Sequence, residues 1–199
     1  MIGVVDYGAG NLLSVTNALD ALDLSWTHVR RPRELDDCGR ILLPGVGHFA
    51  AAAGQLKASG MSAALQAVAR KGKPVLGVCL GAQLMLEASD EAPDAVGLGL
   101  IPGRVVRLKT KTIPHMGWNR VKPAASARLF DAAATPPYFY FAHSFVCAPV
   151  EKSHVAAETT CDAETFCVAV QRDNIFGVQF HPEKSAGAGL DVLRRFATC

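Results

Sequence analysis

The sequence predicts an α/β fold: an open, largely parallel central sheet with helices on both faces. Apolar, β-branched runs alternate with helical segments through the first half of the 199 residues, a pattern typical of parallel sheets built from strand–helix–strand units. The second half instead contains short strands separated by turn-forming residues. We therefore expect an added set of short antiparallel strands in that half.

Three strands and two helical stretches are predicted in the first half. In chain order they are the strand Met1–Val5, the helix Asn11–Leu22, the strand Arg40–Leu43, the helical stretch Phe49–Arg70 and the strand Pro74–Val78. We expect the second strand to stop at Pro44, because proline lacks the N–H that a strand ladder uses. The long helical stretch is predicted to break near Ser59-Gly60. The segment Gln83–Glu87, which follows the third strand, also has helical character.

Six short strands and a closing helix are predicted in the second half. The strands are Val105–Leu108, Trp118–Val121, Tyr138–Ala142, Val155–Thr159, Cys167–Arg172 and Ile175–Phe180. Asp173-Asn174 separates the last two strands and predicts a hairpin turn. The closing helix places Leu190, Leu193 and Phe196 on one side. Because no linker, repeat or low-complexity tract divides the chain, residues 1–199 are predicted to form a single domain.

Composition and charge exclude several classes of function. Half of the residues are hydrophobic, and the formal net charge is only +2. Lysines and arginines are scattered, so the charge pattern supports neither nucleic-acid binding nor a basic membrane-binding patch. No apolar run approaches the roughly 20 residues that a membrane span requires, and the first residues form a predicted strand rather than a signal peptide. We therefore expect a cytoplasmic protein.

Six cysteines are spread along the chain without a C-x-x-C pair or the Cys/His spacing of a zinc finger. They are Cys38, Cys79, Cys147, Cys161, Cys167 and Cys199. Disulfide frameworks are typical of small secreted domains, so we expect reduced thiols, most of them buried as small hydrophobic side chains. No metal site and no cofactor is expected from the sequence.

Cys79 differs from the other cysteines because glycines lie two residues away on either side, in Gly77-Val78-Cys79-Leu80-Gly81. A predicted strand turns into a helical segment there, and such an elbow presents a nucleophile at its tip. Side chains at positions 77 and 81 would collide with adjoining backbone. N–H groups at the start of a helix also favour thiolate over thiol. A lone buried cysteine is more often structural, but this setting indicates a nucleophile.

A cysteine nucleophile needs a base, and the base needs an acceptor that orients it. His181 follows the predicted strand Ile175–Phe180, and reactive groups gather at the carboxyl ends of strands, where Cys79 also lies. Pro182 prevents a regular strand or helix from continuing and allows Glu183 to fold back towards the imidazole. The sequence thus predicts a Cys–His–Glu set.

Two glycines follow the strand Arg40–Leu43, in the segment Pro44-Gly45-Val46-Gly47. Glycines can present backbone N–H groups to a developing oxyanion and permit a peptide flip that side chains would block. A Pro-Gly pair on its own indicates no more than a turn. Next to the Cys79 elbow, however, this loop is a candidate for one half of an oxyanion hole, with the Leu80 N–H as the other half.

These motifs resemble those of the class I (triad) glutamine amidotransferases. The resemblance rests on the segments Pro44–Gly47, Gly77–Gln83 and Phe180–Glu183. Four further strings resemble one family within this class, the glutaminase subunits of imidazole glycerol phosphate synthase in histidine biosynthesis. They are Asp6–Leu12, Pro114–Asn119, Tyr140–Phe145 and Gln179–Ser185. Together the motifs extend over nearly the whole chain.

The resemblance implies a cysteine-dependent hydrolysis of glutamine. Cys79 would attack the side-chain amide and form a glutamyl thioester with release of ammonia, while His181 transfers the proton and Glu183 orients the imidazole. The other implied site residues are Val46 and Gly47 in the oxyanion hole, and Gln83, Ser144 and Phe145 around the glutamine. Phe145 stands where the family usually has Tyr, so a hydroxyl contact is lost, and His48 stands where a small residue is common.

The resemblance also implies a partner, a (β/α)8-barrel cyclase subunit that receives the ammonia through an internal channel. Positions near that interface are matched by Asn11, Trp118, Asn119 and Lys184. For Trp118 the alternative is simple core packing. His115 and His143 also lie inside the family strings, and we expect them to have structural hydrogen-bonding roles.

Two alternative functions stay open at this point. The same glutaminase fold could serve a different synthase, such as a sugar-modifying one, and a barrel-cyclase gene beside this one would favour the first interpretation. The chain could instead be a catalytically idle module that regulates a partner, although the intact Cys79, His181 and Glu183 count against this. Measuring ammonia release from glutamine with the partner present distinguishes an active subunit from an idle one.

Overall fold

The computed structural model describes residues 1–8, 10–131 and 136–199. Ala9, which belongs to one string of the resemblance, lies outside the described residues. The strands are β1 Ile2–Val5, β2 Trp26–Val29, β3 Arg40–Gly45, β4 Val75–Cys79, β5 Ala88–Ser89, β6 Gly103–Arg107, β7 His115–Arg120, β8 Lys122–Pro123, β9 Tyr138–His143, β10 Phe145–Pro149, β11 Val155–Cys161, β12 Glu164–Arg172 and β13 Ile175–Val178. The α-helices are α1 Leu12–Asp20, α2 Phe49–Ala58, α3 Met61–Arg70, α4 Leu80–Leu84 and α5 Ala186–Phe196.

The largest sheet has eight strands in the order β2-β1-β3-β4-β13-β12-β11-β8. Neighbours among the first five strands are all parallel, and β12, β11 and β8 continue the sheet through antiparallel pairs. Two smaller sheets, β10-β6-β5 and β7-β9, are formed by segments of the second half together with the short β5. This topology confirms the predicted α/β class with its added antiparallel strands.

Helices cover both faces of the parallel strands. Along β3, Leu42 packs in one buried cluster with residues of α1 and α5, whereas Ile41 and Leu43 pack in another with residues of α2, α3 and α4. Successive strand residues point to opposite faces of a sheet, so each face receives its own set of helices. Within the described ranges 1–8, 10–131 and 136–199, no helix is both long and apolar enough to cross a membrane.

Several predicted details of the chain path are confirmed. The turn at Asp173-Asn174 joins β12 to β13 as an antiparallel hairpin. The long helical stretch is broken where predicted, because Ser59 ends α2 and Gly60, with φ of +74°, precedes α3. The closing helix buries Leu193 and Phe196.

The prediction that Pro44 stops its strand is wrong, since β3 continues to Gly45. Pairing between β3 and β1 extends only as far as Leu42, whereas β3 pairs with β4 through Gly45. Pro44 therefore lies where β3 has a partner on one side only, and a missing N–H is tolerated at such a position.

The helical segment predicted at Gln83–Glu87 is also shorter in the structure, because α4 ends at Leu84. N–H groups of a later loop donate to the carbonyl groups that the next turn of a longer helix would use. The N–H of Leu98 donates to the carbonyl of Leu84 at 2.7 Å, and that of Leu100 donates to Met85 at 2.8 Å. Tertiary hydrogen bonds thus replace the next helical turn.

The cysteines behave as predicted. All six are free thiols, and four of them are buried: Cys38, Cys79, Cys147 and Cys167. Burial raises the pKa of the Cys147 and Cys167 thiols, which keeps these side chains neutral. Most of the cysteines therefore act as small hydrophobic residues of the core.

Candidate active site

Three parallel strands end at the same edge of the large sheet, around Cys79. Gly45 of β3 lies opposite Cys79 of β4, and Val78 of β4 lies opposite Val178 of β13. The chain therefore leaves all three strands at the same level. Val46 and Gly47, the predicted oxyanion residues, directly follow Gly45, and His181 follows three residues after Val178.

The elbow at Cys79 has the strained geometry that its glycine neighbours predict. Cys79 adopts φ of +54° and ψ of −111°, a conformation that costs a non-glycine residue on the order of 1–3 kcal/mol. A Cβ atom at Gly77 would lie 2.5 Å from the carbonyl oxygen of Gly81, and one at Gly81 would lie 1.9 Å from that of Leu43. The predicted collisions are confirmed. Since α4 has only five residues, its dipole is short.

The imidazole of His181 is held from behind by Glu183. Residues Pro182–Lys184 form a short 3₁₀ turn, which folds the carboxylate back so that Glu183 Oε1 lies 2.8 Å from His181 Nδ1. Both side chains are buried. The backbone of His181 is fixed as well, because its N–H donates to the Tyr140 carbonyl at 3.0 Å and its carbonyl accepts from the Ser185 hydroxyl at 2.6 Å.

The electrostatics of this cluster favour a protonated imidazole. Burial lowers the pKa of His181, but hydrogen bonds and charge interactions with Cys79 and Glu183 outweigh burial and raise the pKa to about 9. Glu183 Oε2 is buried without a hydrogen-bond partner. A buried carboxylate needs a paired charge, and His181 is the group that provides it.

Two buried glutamines connect the elbow to the opposite wall of the site. Gln83 Nε2 donates to the carbonyl of Phe145 and to Gln179 Oε1, each at 3.0 Å. Gln179 Nε2 in turn donates to Cys79 Sγ at 3.7 Å. Both hydrogens of the Gln83 amide are therefore donated to other groups of the protein, and its Oε1 is the atom left to contact a ligand. Gln179 had not been singled out from the sequence as a site residue.

The predicted oxyanion loop is open. Val46 is 43% exposed, and Gly47 has φ of +101° with no atom beyond its chain neighbours within 4 Å of the place where a Cβ would stand. The unusual His48 has a local role, because its Nδ1 accepts the N–H of Ala50 at 3.2 Å and caps α2. Leu80 begins α4 directly after Cys79, and N–H groups of a first helical turn lack intrahelical partners.

These groups line one pocket of about 460 Å³. Nine of the residues predicted from the sequence lie along it: Val46, Gly47, Cys79, Leu80, Gln83, Ser144, Phe145, His181 and Lys184. Glu91 also lines the pocket, and no sequence signal predicted it. Its Oε2 accepts the backbone N–H of Phe49 at 2.7 Å, so the carboxylate is held between the pocket and the start of α2.

The residues predicted to lie near a partner are mostly accessible. Trp118 is 53% exposed, so core packing is not its role. Asn11 caps α1 by accepting the N–H of Ser14 at 3.4 Å, and the Lys184 ammonium lies 5.8 Å from the centre of the Tyr140 ring. Their placement at an interface stays a prediction.

His115 and His143 have the structural role that was expected, since their rings are buried and hydrogen-bonded to each other at 2.9 Å. Across the part of the chain that the structure describes, no group of three or more His, Cys, Asp or Glu side chains is arranged to hold a metal ion.

Comparison with known sequences covers the whole chain. The family described as Glutamine amidotransferase class-I matches residues 3–198. The imidazole glycerol phosphate synthase subunit HisH of Chlorobium luteolum is 44% identical over 201 residues, with 100% of each chain covered. The subunit of the same name from Pyrococcus furiosus is 42% identical over 195 residues, with 98% of this chain and 97% of the relative covered.

Solved structures show the same fold. A crystal structure of a glutamine amidotransferase matches with a TM-score of 0.79 at 18% identity, covering 100% of this chain and 99% of the other. PurLQS from Thermotoga maritima matches with a TM-score of 0.77 at 21% identity, covering 99% and 97%. At such identities the likeness concerns the fold alone.

Proposed function

Because the chain belongs to the class-I glutamine amidotransferase family, we propose that Cys79, His181 and Glu183 are the residues with which it hydrolyses glutamine. Its relatives are named as subunits of imidazole glycerol phosphate synthase, and we assign it the glutaminase role in such a synthase. The observation that supports the residue assignment best is the strained cysteine beside a buried His181–Glu183 pair, 2.8 Å apart.

The reaction uses these groups in sequence. The proton of the Cys79 thiol passes to His181, which gives the protonated imidazole that the cluster favours, and the Cys79 sulfur attacks the side-chain amide carbon of glutamine to form a tetrahedral intermediate. That intermediate carries its negative charge on the former carbonyl oxygen, which accepts hydrogen bonds from backbone N–H groups of Leu80 and the Val46–Gly47 loop. Collapse breaks the C–N bond, and His181 donates its proton to the leaving ammonia. Water then hydrolyses the thioester to glutamate and frees the cysteine.

The pocket also offers contacts for the rest of the substrate. An amino acid presents an ammonium group, and Glu91 supplies a carboxylate along the pocket wall. Gln83 Oε1 is the free acceptor of a fixed amide, as both hydrogens of that amide are already bonded. Ser144 and Phe145 form the opposite wall. These contacts would orient glutamine with its side-chain amide towards Cys79.

Ammonia released here has to be used before it is lost to solvent, which requires a second catalytic site. We assign that site to a (β/α)8-barrel cyclase subunit, bound in a heterodimer through a surface that includes Asn11, Trp118, Asn119 and Lys184. The exposed indole of Trp118 is the type of residue that anchors protein interfaces.

Substitution of the nucleophile tests the proposal. We expect C79A to abolish ammonia release from glutamine in the complex with the cyclase, while added ammonium still supports the synthase reaction of the partner. The matched control is C161A, since Cys161 is a free thiol outside the pocket and its loss should leave the rate unchanged. Equal glutaminase rates for C79A and wild type would contradict the mechanism, and loss of the ammonium-dependent reaction would contradict the division of labour.

A further inference from the structure

A chain of side-chain hydrogen bonds runs from the surface of the two-stranded sheet to the wall of the pocket. His115 of β7 and His143 of β9 lie directly opposite each other in register, and His115 Nδ1 is 2.9 Å from His143 Nε2. At one end His115 Nε2 lies 3.2 Å from Asn119 Nδ2. At the other end His143 Nδ1 lies 3.1 Å from the carbonyl oxygen of Phe145.

The pocket end of this series of hydrogen bonds determines which atom donates in each of them. A carbonyl oxygen only accepts, so Nδ1 of His143 must carry the hydrogen that points at Phe145. A neutral imidazole has one N–H, and therefore His143 Nε2 accepts. The bond between the two rings is then donated by His115 Nδ1, which leaves His115 Nε2 as an acceptor for Asn119.

The surface end fixes the same direction independently. Asn119 Oδ1 accepts the backbone N–H of Arg120 at 2.8 Å, and Asn119 Nδ2 donates to the Thr160 carbonyl at 3.0 Å. These two bonds orient the amide so that Nδ2, a donor, faces His115. Both ends thus require the Nδ1–H form of each ring.

The surroundings of His115 and His143 keep both rings neutral. Phe141 and Phe166 pack against the two imidazoles, with ring centres 4.8–6.0 Å apart. Burial lowers the pKa of His115. Burial, with a smaller effect of His115, lowers that of His143 to about 3.

The carbonyl at the end of the chain belongs to the wall of the glutamine pocket. It accepts from His143 and also from Gln83 Nε2 at 3.0 Å. If the direction of the chain were reversed, His143 Nδ1 would present a lone pair to the oxygen of Phe145. Two acceptors would then face each other, and the Phe145 segment would have to move.

We propose that Asn119, His115 and His143 form a one-directional hydrogen-bond relay that positions the Phe145 carbonyl, and through it the glutamine pocket, according to the orientation of the Asn119 amide. The three are positioning residues, since none is placed to touch the reacting atoms. The proposal rests on the proposed function for the identity of the pocket's ligand and for the partner surface to which Asn119 is assigned. It links the pocket to Asn119, a partly buried residue on the surface assigned to the partner.

The variant N119D tests the direction of the relay. Asp offers only acceptors, so at a pH at which His115 stays neutral this ring would have to donate from Nε2, and the bonds of both rings would reverse. We expect the two imidazoles to change from the Nδ1–H to the Nε2–H form, which long-range ¹H–¹⁵N correlation spectra of the isolated chain distinguish. The control is N174D, because Asn174 Nδ2 also donates to two backbone carbonyls, those of Ala69 and Lys73, far from the rings in sequence. Wild-type rings in the Nε2–H form, or unchanged forms in N119D, would overturn the relay.

Kinetics of the complex test the effect on the pocket. We expect N119D to raise the KM for glutamine about tenfold, the effect of one lost hydrogen bond, with a much smaller change in kcat. H143N keeps a donor at the Nδ1 position but ends the link to His115, whereas H143Q keeps the link and loses the donor to Phe145. H143N should therefore retain a near-normal KM and cancel the effect of N119D in the double variant, while H143Q should raise KM by itself.

The two readouts separate the possible failures. Additive effects of N119D and H143N on KM would overturn the coupling even if the ring forms are as expected. A wild-type complex without glutaminase activity would refute the proposed function instead, and the spectra would still decide whether the relay exists.

Discussion

Glu183 makes the stability of the fold depend on pH. Burial lowers the pKa of His181, but Cys79 and the Glu183 carboxylate raise it to about 9, from an ordinary value of 6.5. A raised pKa stabilises the folded state fully below the unfolded value, and that stabilisation is lost as the pH rises through the folded value. We therefore expect E183Q to lower the melting temperature most below about pH 6.5 and progressively less towards about pH 9.

The measurement is thermal unfolding of wild type and E183Q across this pH range. E151Q is the matched control, because Glu151 is exposed and its replacement should give a small difference. A difference between wild type and E183Q that stays constant with pH would show that Glu183 does not stabilise the charged imidazole.

At the scale of single residues, the sequence indicates reactive groups better than the groups that hold them. Glycine spacing and strand ends singled out Cys79, His181 and Glu183, which the structure brings together. Gln179 carried a usable signal, since an amide at the end of a buried strand must find partners inside the protein. Glu91 carried none, because its place at the pocket depends on a hydrogen bond to Phe49, 42 positions away in the sequence.

At the scale of elements, the turn from β4 into α4 depends on the absence of a side chain at Gly81. A methyl group there would lie 1.9 Å from the carbonyl oxygen of Leu43 in β3, and backbone cannot yield as a side chain can. We expect G81A to lower the free energy of unfolding by about 3 kcal/mol and to remove glutaminase activity, because moving α4 also moves Cys79 and Leu80.

The control for this substitution is G54A. Gly54 lies inside α2, and no atom is within 4 Å of its Cβ position, so alanine should raise the free energy of unfolding by about 0.5–1 kcal/mol. Chemical denaturation of both variants measures the two shifts, which have opposite signs. If G81A were as stable as G54A, close packing of β3 against the elbow would not be what requires glycine.

The ends of helices and strands could be predicted where the local sequence pattern determines them. The break between α2 and α3 and the hairpin between β12 and β13 follow from local residue types. The end of α4 does not, because hydrogen bonds from Leu98 and Leu100 replace its next turn. The strand β2, Trp26–Val29, was not predicted, since it lies at the edge of the sheet with only Val29 fully buried and so lacks a continuous apolar run.

At the scale of the whole molecule, alternation of strands and helices was enough to predict the fold class but not the order of the strands. The pairing that matters most joins Val75–Val78 of β4 to Ile175–Val178 of β13, 100 positions apart. A late strand thus lies between the parallel and antiparallel parts of the sheet and carries His181 to Cys79. The local sequence pattern does not reveal that β13 lies beside β4, because a buried strand is apolar wherever it lies within the sheet.

The open loop of the site predicts that the isolated chain is a poor enzyme. Val46 is 43% exposed and Gly47 has no neighbour at its Cβ position. Packing at these two positions therefore does not hold the N–H groups of the loop in a fixed direction. Losing one oxyanion donor costs about 10²- to 10³-fold in rate. We expect glutamine hydrolysis by the isolated chain to be slower than in the cyclase complex by about this factor.

The decisive measurement compares the glutaminase rate of the isolated chain with that of its complex with the proposed cyclase partner. W118A supplies the control, because Trp118 is largely exposed: its loss should leave the melting temperature of the isolated chain nearly unchanged while weakening activation by the partner. Full turnover by the isolated chain would mean that the loop is ordered without the cyclase. If the cyclase activated W118A as strongly as wild type at the same cyclase concentration, the docking surface would lie elsewhere. The experiment therefore tests the loop and the surface separately.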